Sequence, residues 1–182
     1  MPVDGAERAA VELASRQHGV VSVEQLARVG RGRHAVSHRV ERGWLRPLHR
    51  GVYLVGPLET EHSRLMAAAL AACPGALISH YPAAVLWGLR PPREGPTHVI
   101  APRAHSRPRI VVHHVTLHPH DITRRHGIPT TSAARTVLDL AATAPTRDLE
   151  RAVNEAQILH RISTHSLTGQ LSRTHTTGER RH

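Results

Sequence analysis

The sequence predicts an α+β chain: an N-terminal winged helix-turn-helix over residues 1–56, then a mixed module of helices around a small sheet over 57–171, and a disordered polar tail at 172–182. Three observations predict it. Within the first 56 residues, apolar spacing and turn residues run in the order helix, short strand, helix, turn, helix, hairpin, an order few small folds share. Gly56-Pro57 then punctuates the chain. Beyond it, Ala- and Leu-rich helical runs alternate with short β-prone runs, without an internal repeat. A chain of 182 residues can hold one medium domain or two small ones.

Residues 6–17 read as a helix with Ala10, Val11 and Ala14 on its inner face, closed by His18-Gly19. Val20-Val21 is a brief extended stretch. Ser22 opens the second helix, and Gln25 three places on completes a capping box. Leu26 and Val29 are its apolar positions, and Gly30 ends it. After the turn at Arg31-Gly32, a third helix runs from about Arg33 to Arg42 and stops at Gly43. Residues 44–48 and 52–55 are β-prone and joined by His49-Arg50-Gly51, a hairpin that supplies the wing. In the second module Thr60 caps a helix to about Ala72, and a shorter helix follows Ser79 and ends at Trp87-Gly88. Residues 97–101, 110–115 and 122–125 are strand-like. Ser132 opens a helix to about Thr143 with Val137, Leu138 and Ala141 inward. Pro145-Thr146 starts the last helix, on which Leu149, Val153 and Ala156 repeat at helical spacing.

The formal net charge is +10, and all 24 basic residues are Arg. An excess of this size suits a polyanionic partner. Without Lys there is no P-loop, no Schiff-base lysine and no PD-(D/E)xK nuclease core. One cysteine, Cys73, excludes disulfide frameworks and Cys-rich zinc modules and reads as a small buried hydrophobe. No apolar run approaches the ~18 residues that span a bilayer, and the charged N-terminus lacks a signal-peptide core. A cytoplasmic protein without membrane contact is expected.

On the third helix Val36 and Val40 lie one turn apart and define the buried side. Arg33, His34, Ser37 and His38 fall on the outward face of its first two turns, the part of a helix-turn-helix that meets base edges in the major groove. Arg39 sits nearer the buried side and is expected in an internal ion pair. Seven Arg stand against one acid, Glu41, between Arg28 and Gly56. Arg31 and Arg42 flank the helix, and Arg46, His49 and Arg50 decorate the hairpin, where Arg46 and Arg50 would clamp phosphates. These nine residues, Arg31, Arg33, His34, Ser37, His38, Arg42, Arg46, His49 and Arg50, are the candidate DNA-binding set. A second basic cluster, Arg103, Arg107 and Arg109, would extend that footprint or simply be a solvated loop.

The run GVVSVEQLARVGRGRHAVSHRVERGWLRPLHRGVYLVG resembles the winged-helix domain of AbiEi-family antitoxins, the regulatory half of an abortive-infection toxin–antitoxin pair, and LISHYPAAVLWGL and GIPTTSAARTVLDLA resemble segments of the second domain in actinobacterial members. The resemblance covers about residues 10–160. It implies an autorepressor that binds inverted repeats of duplex DNA in its own promoter and is encoded beside a nucleotidyltransferase-like toxin. By the family's pattern DNA contact falls to Arg33, His34, Ser37 and His38 with His49 and Arg50, and antitoxic activity to the second domain. Longer relatives carry an endonuclease-like C-terminal domain that this sequence does not reach. Two alternatives accompany this reading: a protein-interaction module that neutralises a toxin, and the targeting part of a nuclease-linked protein. The operator and the oligomeric state are not encoded legibly.

Rival chemistry is thin. His113-His114, His118 and His120 are the densest metal-like constellation, but alternate strand residues face opposite ways and only Asp121 adjoins them. Ser79 and His80 are sequence neighbours, which usually point apart. Arg135 and Asp139 are spaced for an i, i+4 salt bridge that holds the second module together. Neither a nucleophile–base pair nor paired carboxylates nor a glycine-rich phosphate cradle is legible, so no enzyme, cofactor or metal is expected. Trp44 and Trp87 read as core anchors.

Overall fold

The computed structural model describes residues 5–103, 107–163 and 168–169; the polar tail expected at 172–182 lies outside them. The first module runs α1 (Gly5–Ser15), β1 (Val20–Ser22), α2 (Val23–Arg28), α3 (Arg33–Glu41), β2 (Leu45–His49) and β3 (Val52–Val55). This is the expected order of a winged helix-turn-helix. The three strands form an antiparallel sheet in the order β1-β3-β2. Ser22 and Gln25 make the predicted capping box, with Ser22 Oγ accepting from Gln25 N at 3.2 Å and Gln25 Oε1 from Ser22 N at 2.9 Å. Ala10, Ala14, Val21, Leu26, Val36 and Leu45 build the core under these helices. Val11, expected inside, is 46% exposed, and Leu13 takes its place against that core. The helix begins at Gly5 and carries Ala10, Leu13 and Ala14 on the covered side, rotating Val11 outward.

The second module continues with α4 (Glu61–Ala72), β4 (Leu77–Ile78), α5 (His80–Leu86), β5 (Thr97–Ile100), β6 (Ile110–His113), β7 (Ile122–Arg125), β8 (Ile128–Thr131), α6 (Ala133–Thr143) and α7 (Thr146–Ile158). Its five-stranded mixed sheet has the order β6-β5-β4-β8-β7. β5 runs parallel to β6 and β4 parallel to β8, while β4–β5 and β7–β8 are antiparallel. Two central strands, β4 and β8, were not legible as strands. β4 has two residues, and β8 carries Pro129, which removes a ladder donor and argues against a central strand. On α6 the buried apolar positions are Ala133, Ala134, Val137 and Leu140, with Ala141 exposed and Leu138 half-buried. The inner face is shifted because buried Arg135 and Asp139 share it.

Gly56, at φ 83°, turns the chain out of β3 where Gly-Pro signalled a boundary. The boundary separates the two sheets but not their cores. Val20, Val52 and Leu54 of the first sheet pack with Leu65, Met66 and the alanines of α4, which in turn pack on Ile78, Val99, Ala101, Ile110 and Ile128. α4 therefore lies between both sheets. That position explains its sequence: a helix covered on opposite sides cannot keep a polar stripe, and small Ala side chains let both sheets approach. Each large side chain buried there, such as Met66, contributes about 1.5–3 kcal/mol. A second core joins α5, α6 and α7 through Tyr81, Ala84, Leu89, Val137, Leu140, Ala152 and Ala156.

Candidate nucleic-acid interface

α3 buries Val36 and half-buries Val40 against the first core, as its spacing requires. The opposite side presents His34, Ser37, His38, Glu41 and Arg42 to solvent. Gly32 stands at the N-cap in extended conformation and, having no side chain, makes no side-chain capping hydrogen bond. The Arg33 side chain lies outside the described part of the structure.

The flanking cations divide into two groups. Arg31 and Arg39 are turned back to α1, their guanidiniums 3.9 Å and 3.5 Å from the Glu7 carboxylate. Arg39 also donates to the Ala35 carbonyl and lies over the Trp44 ring at 5.6 Å. The internal ion pair expected of Arg39 is present, and Arg31 joins it with its side chain only 13% exposed. Arg46 faces Glu59, whose carboxylate it shares with Arg64. These two guanidiniums hold the Glu59 carboxyl below its usual range, with Arg64 the larger contributor. The hairpin tip, Arg50, is exposed. The wing is short: His49 pairs with Val52, leaving Arg50-Gly51 as the turn, and Val23 N donates to the Gly51 carbonyl. The tip is thus tied to the start of α2.

His49 is half-buried, and its pKa is lowered first by burial and then by the positive charges of Arg107 and Arg109. It stays neutral at pH 7 and contributes a hydrogen-bonding group, not a charge. Two members of the second basic cluster, Arg107 and Arg109, are thus close enough to the hairpin for their charge to act on His49. Arg107 is half-buried and Arg109 exposed.

Histidines gather elsewhere in ways the sequence did not suggest. His113 does not meet His118 or His120; it meets His98 and His80. His118 and His120 stack on each other around a single 3-10 turn (Pro119–Asp121). Ser79 and His80, read as diverging, are joined by a 2.9 Å contact between Oγ and Nδ1, because His80 takes a φ of 55°. Fold-wide pairing across β5 and β6 was the missing signal. A further row crosses the join between the modules: His62 stacks on His126 and lies tilted against His18, both at ring separations of 5.0 Å.

Among the described residues five histidines have depressed pKa values, and the sign of their pH effect follows. His80 is lowered to about 3 by burial, then by His113, His98 and Arg135. His98, His113, His62 and His49 are lowered in each case mainly by burial. A base whose folded pKa lies below its unfolded value of about 6.5 binds fewer protons when folded, so stability falls as pH drops through that value. Asp139 opposes this: burial raises it to about 6, so the folded state binds its proton more readily between pH 6 and its unfolded value near 3.8. One acid offsets one base, and the other histidines remain uncompensated. Unfolding by urea should give a flat midpoint above pH 7 and a falling one from pH 6.5 to 5. Each fully buried uncompensated ring adds up to about 1.4 kcal/mol per pH unit, and half-exposed rings add less because solvent screens them. A midpoint unchanged between pH 7.5 and 5 would contradict this.

Among the described residues no helix is long and apolar enough to cross a membrane. No match was found among curated protein sequences. Among solved structures, the chain is similar in fold to the crystal structure of RV2827C protein from Mycobacterium tuberculosis, with 18% sequence identity, a TM-score of 0.52, and coverage of 93% of this chain and 72% of that one. The model of the family described as "Transcriptional regulator, AbiEi antitoxin" matches residues 8–56. That span takes in most of α1 and everything through β3, so the similarity to this family, read from the sequence over about residues 10–160, is matched over the winged helix-turn-helix module.

Proposed function

We propose that the protein is a sequence-specific duplex-DNA-binding regulator that represses its own promoter, with α3 in the major groove. One observation carries this reading. The α3 side opposite Val36 and Val40 is solvent-exposed and bears His34, Ser37 and His38, each able to hydrogen-bond a base edge. Arg42 at the end of the helix and Arg50 at the wing tip are exposed cations suited to flanking phosphates. Arg109 beside the wing extends the same edge. Arg33, at the first position of α3, belongs with the reading residues by its place in the helix. Arg31 and Arg46 would have to leave Glu7 and Glu59 to reach DNA, so their part is smaller. His49 would donate or accept a hydrogen bond at the backbone. A toxin encoded nearby, nucleotidyltransferase-like as the resemblance implies, would be the protein partner.

Footprinting of the region upstream of the gene with purified protein tests this. Protection of a paired inverted repeat is expected, weakening steeply between about 50 and 200 mM salt as condensed counterions are regained by the phosphates. Uniform, sequence-independent protection, or none, would overturn it.

A further inference from the structure

We infer that His80, His98 and His113 form a binding site for a transition-metal ion, zinc being the ion their chemistry favours. The three come from separate parts of the chain and are brought together by the fold. His98 stands on β5 opposite Val111, and His113 on β6 opposite Ile100, so in this register both project from the same sheet face as diagonal neighbours. His80 begins α5, directly after β4. Nδ1 of His98 lies 2.9 Å from Nε2 of His113. The His80 ring stacks on His113 at 3.8 Å and sits 5.3 Å from His98. One ring nitrogen from each residue lies within 4.8 Å of the other two.

That spacing is close to what a metal requires. Zinc–nitrogen bonds of 2.0–2.1 Å at tetrahedral angles separate ligand nitrogens by about 3.3 Å, so the His98–His113 pair has only to open by a few tenths of an ångström. Ser79 Oγ, fully buried, lies 2.9 Å from His80 Nδ1. With Oγ accepting from Nδ1–H, the ring is fixed in the tautomer that offers Nε2 to an ion, the usual support behind a histidine ligand. His80 reaches this position at a φ of 55°, a region that non-glycine residues occupy sparingly and that is concentrated at functional sites. Burial is the first cause that lowers the pKa of each of the three imidazoles, and neutral imidazole is the ligand form.

The charged surroundings permit a dication. Arg135 and Arg93 are the guanidiniums whose fields reach the cluster, and both are ion-paired, Arg135 with Asp139 at 2.8 Å and Arg93 with Asp148 at 3.7 Å. Three nitrogen donors and no carboxylate in the set select zinc over calcium or magnesium, which take oxygen ligands. His98 and His113 are half-buried, which leaves room for water or another small donor in a fourth position. Such an ion would pin the β5–β6 edge to α5.

Titration of the metal-free full-length chain with Co2+ and Zn2+ tests the site. One equivalent of Co2+ should give the visible absorption of a tetrahedral nitrogen-ligated ion, displaced by Zn2+. His98→Ala and the milder His113→Gln, each checked for retained fold by circular dichroism, should weaken binding at least tenfold, the minimum seen when even a ligand's supporting group is lost. His118→Ala with His120→Ala should leave affinity unchanged. Absence of the cobalt spectrum in the folded parent chain would overturn the site. So would binding that survives both His98→Ala and His113→Gln but is lost with His118 and His120.

Discussion

Replacing Arg135 with Ala should destabilise the protein by about 3–5 kcal/mol, a large fraction of the 5–15 kcal/mol that a domain of this kind possesses. Arg135 is 6% exposed and lies between two carboxylates that are equally inaccessible, Asp121 at 2% and Asp139 at 4%. Its Nε donates to Asp139 Oδ1 at 2.8 Å, and a terminal nitrogen lies 3.7 Å from Asp121 Oδ2. Asp121 Oδ2 also accepts from the His118 backbone N–H, whereas Asp121 Oδ1 and Asp139 Oδ2 have no hydrogen-bond partner among the described residues. The carboxylates therefore depend on one guanidinium, and its removal leaves two buried charges facing each other.

Asp139 already shows the strain of burial, with its pKa raised to about 6 despite Arg135 pulling it down. Without Arg135 it rises further, so the folded variant takes up the Asp139 proton at a higher pH than the parent does. The variant's deficit against the parent should hence shrink on acidification from pH 7.5 to 5, because protonation of the folded state compensates the lost cation. Urea unfolding at both pH values reads this directly. A deficit below about 1 kcal/mol at pH 7.5, or one that grows towards pH 5, would show that the triad is solvated. Changing all three residues to apolar ones of similar volume should cost far less than Arg135→Ala, since buried ion pairs gain little over well-packed hydrophobes.

How much of this could be read beforehand differs between the modules, and the difference is physical. In the first module the signals are local: the Ser22/Gln25 box, Gly43 after α3, the Val36/Val40 spacing and the His49-Arg50-Gly51 joint of the hairpin each fix their own element, and their order names the fold. The exposed face of α3 follows from spacing alone. In the second module the decisive contacts are long-range. β4 exists because Ile78 meets Val99 on one side and Thr130 on the other, a pairing no pattern in two residues can announce. The histidine cluster depends on such pairings too: along the sequence histidines are densest from His113 to His120, whereas His80 and His98 reach His113 only through the sheet. Arg31 and Arg46 were read as free cations because Glu7 and Glu59 lie 24 and 13 positions away. Charge counted in a window cannot see a partner brought by the fold. Arg135 and Asp139 are the exception, since an i, i+4 pair is local and was legible; the third member, Asp121, was not.

The second large effect is expected at α3. Substituting His34 and His38 together by Ala should abolish preference for the protected repeat while weak, salt-sensitive binding to any duplex persists. Both side chains are exposed on one face of a nine-residue helix, and neither is tied into the core. Each good base contact is worth about 1–3 kcal/mol of discrimination, so losing two removes roughly tenfold to a hundredfold or more each. Stability should change little, because exposed substitutions to a better helix former are nearly neutral or slightly favourable. The contrast with Arg42→Ala and Arg50→Ala gives the assignment its content. Those exposed cations would meet phosphates, so their loss should weaken operator and random duplex alike and lower the salt slope by about one unit each. Competition binding of a labelled operator against operator and random duplex, repeated over a salt series, separates the two outcomes. Should the histidine pair lower affinity for both duplexes equally, α3 would be lying along the backbone instead of reading bases, and the recognition surface would have to be sought at the wing and the Arg107–Arg109 edge.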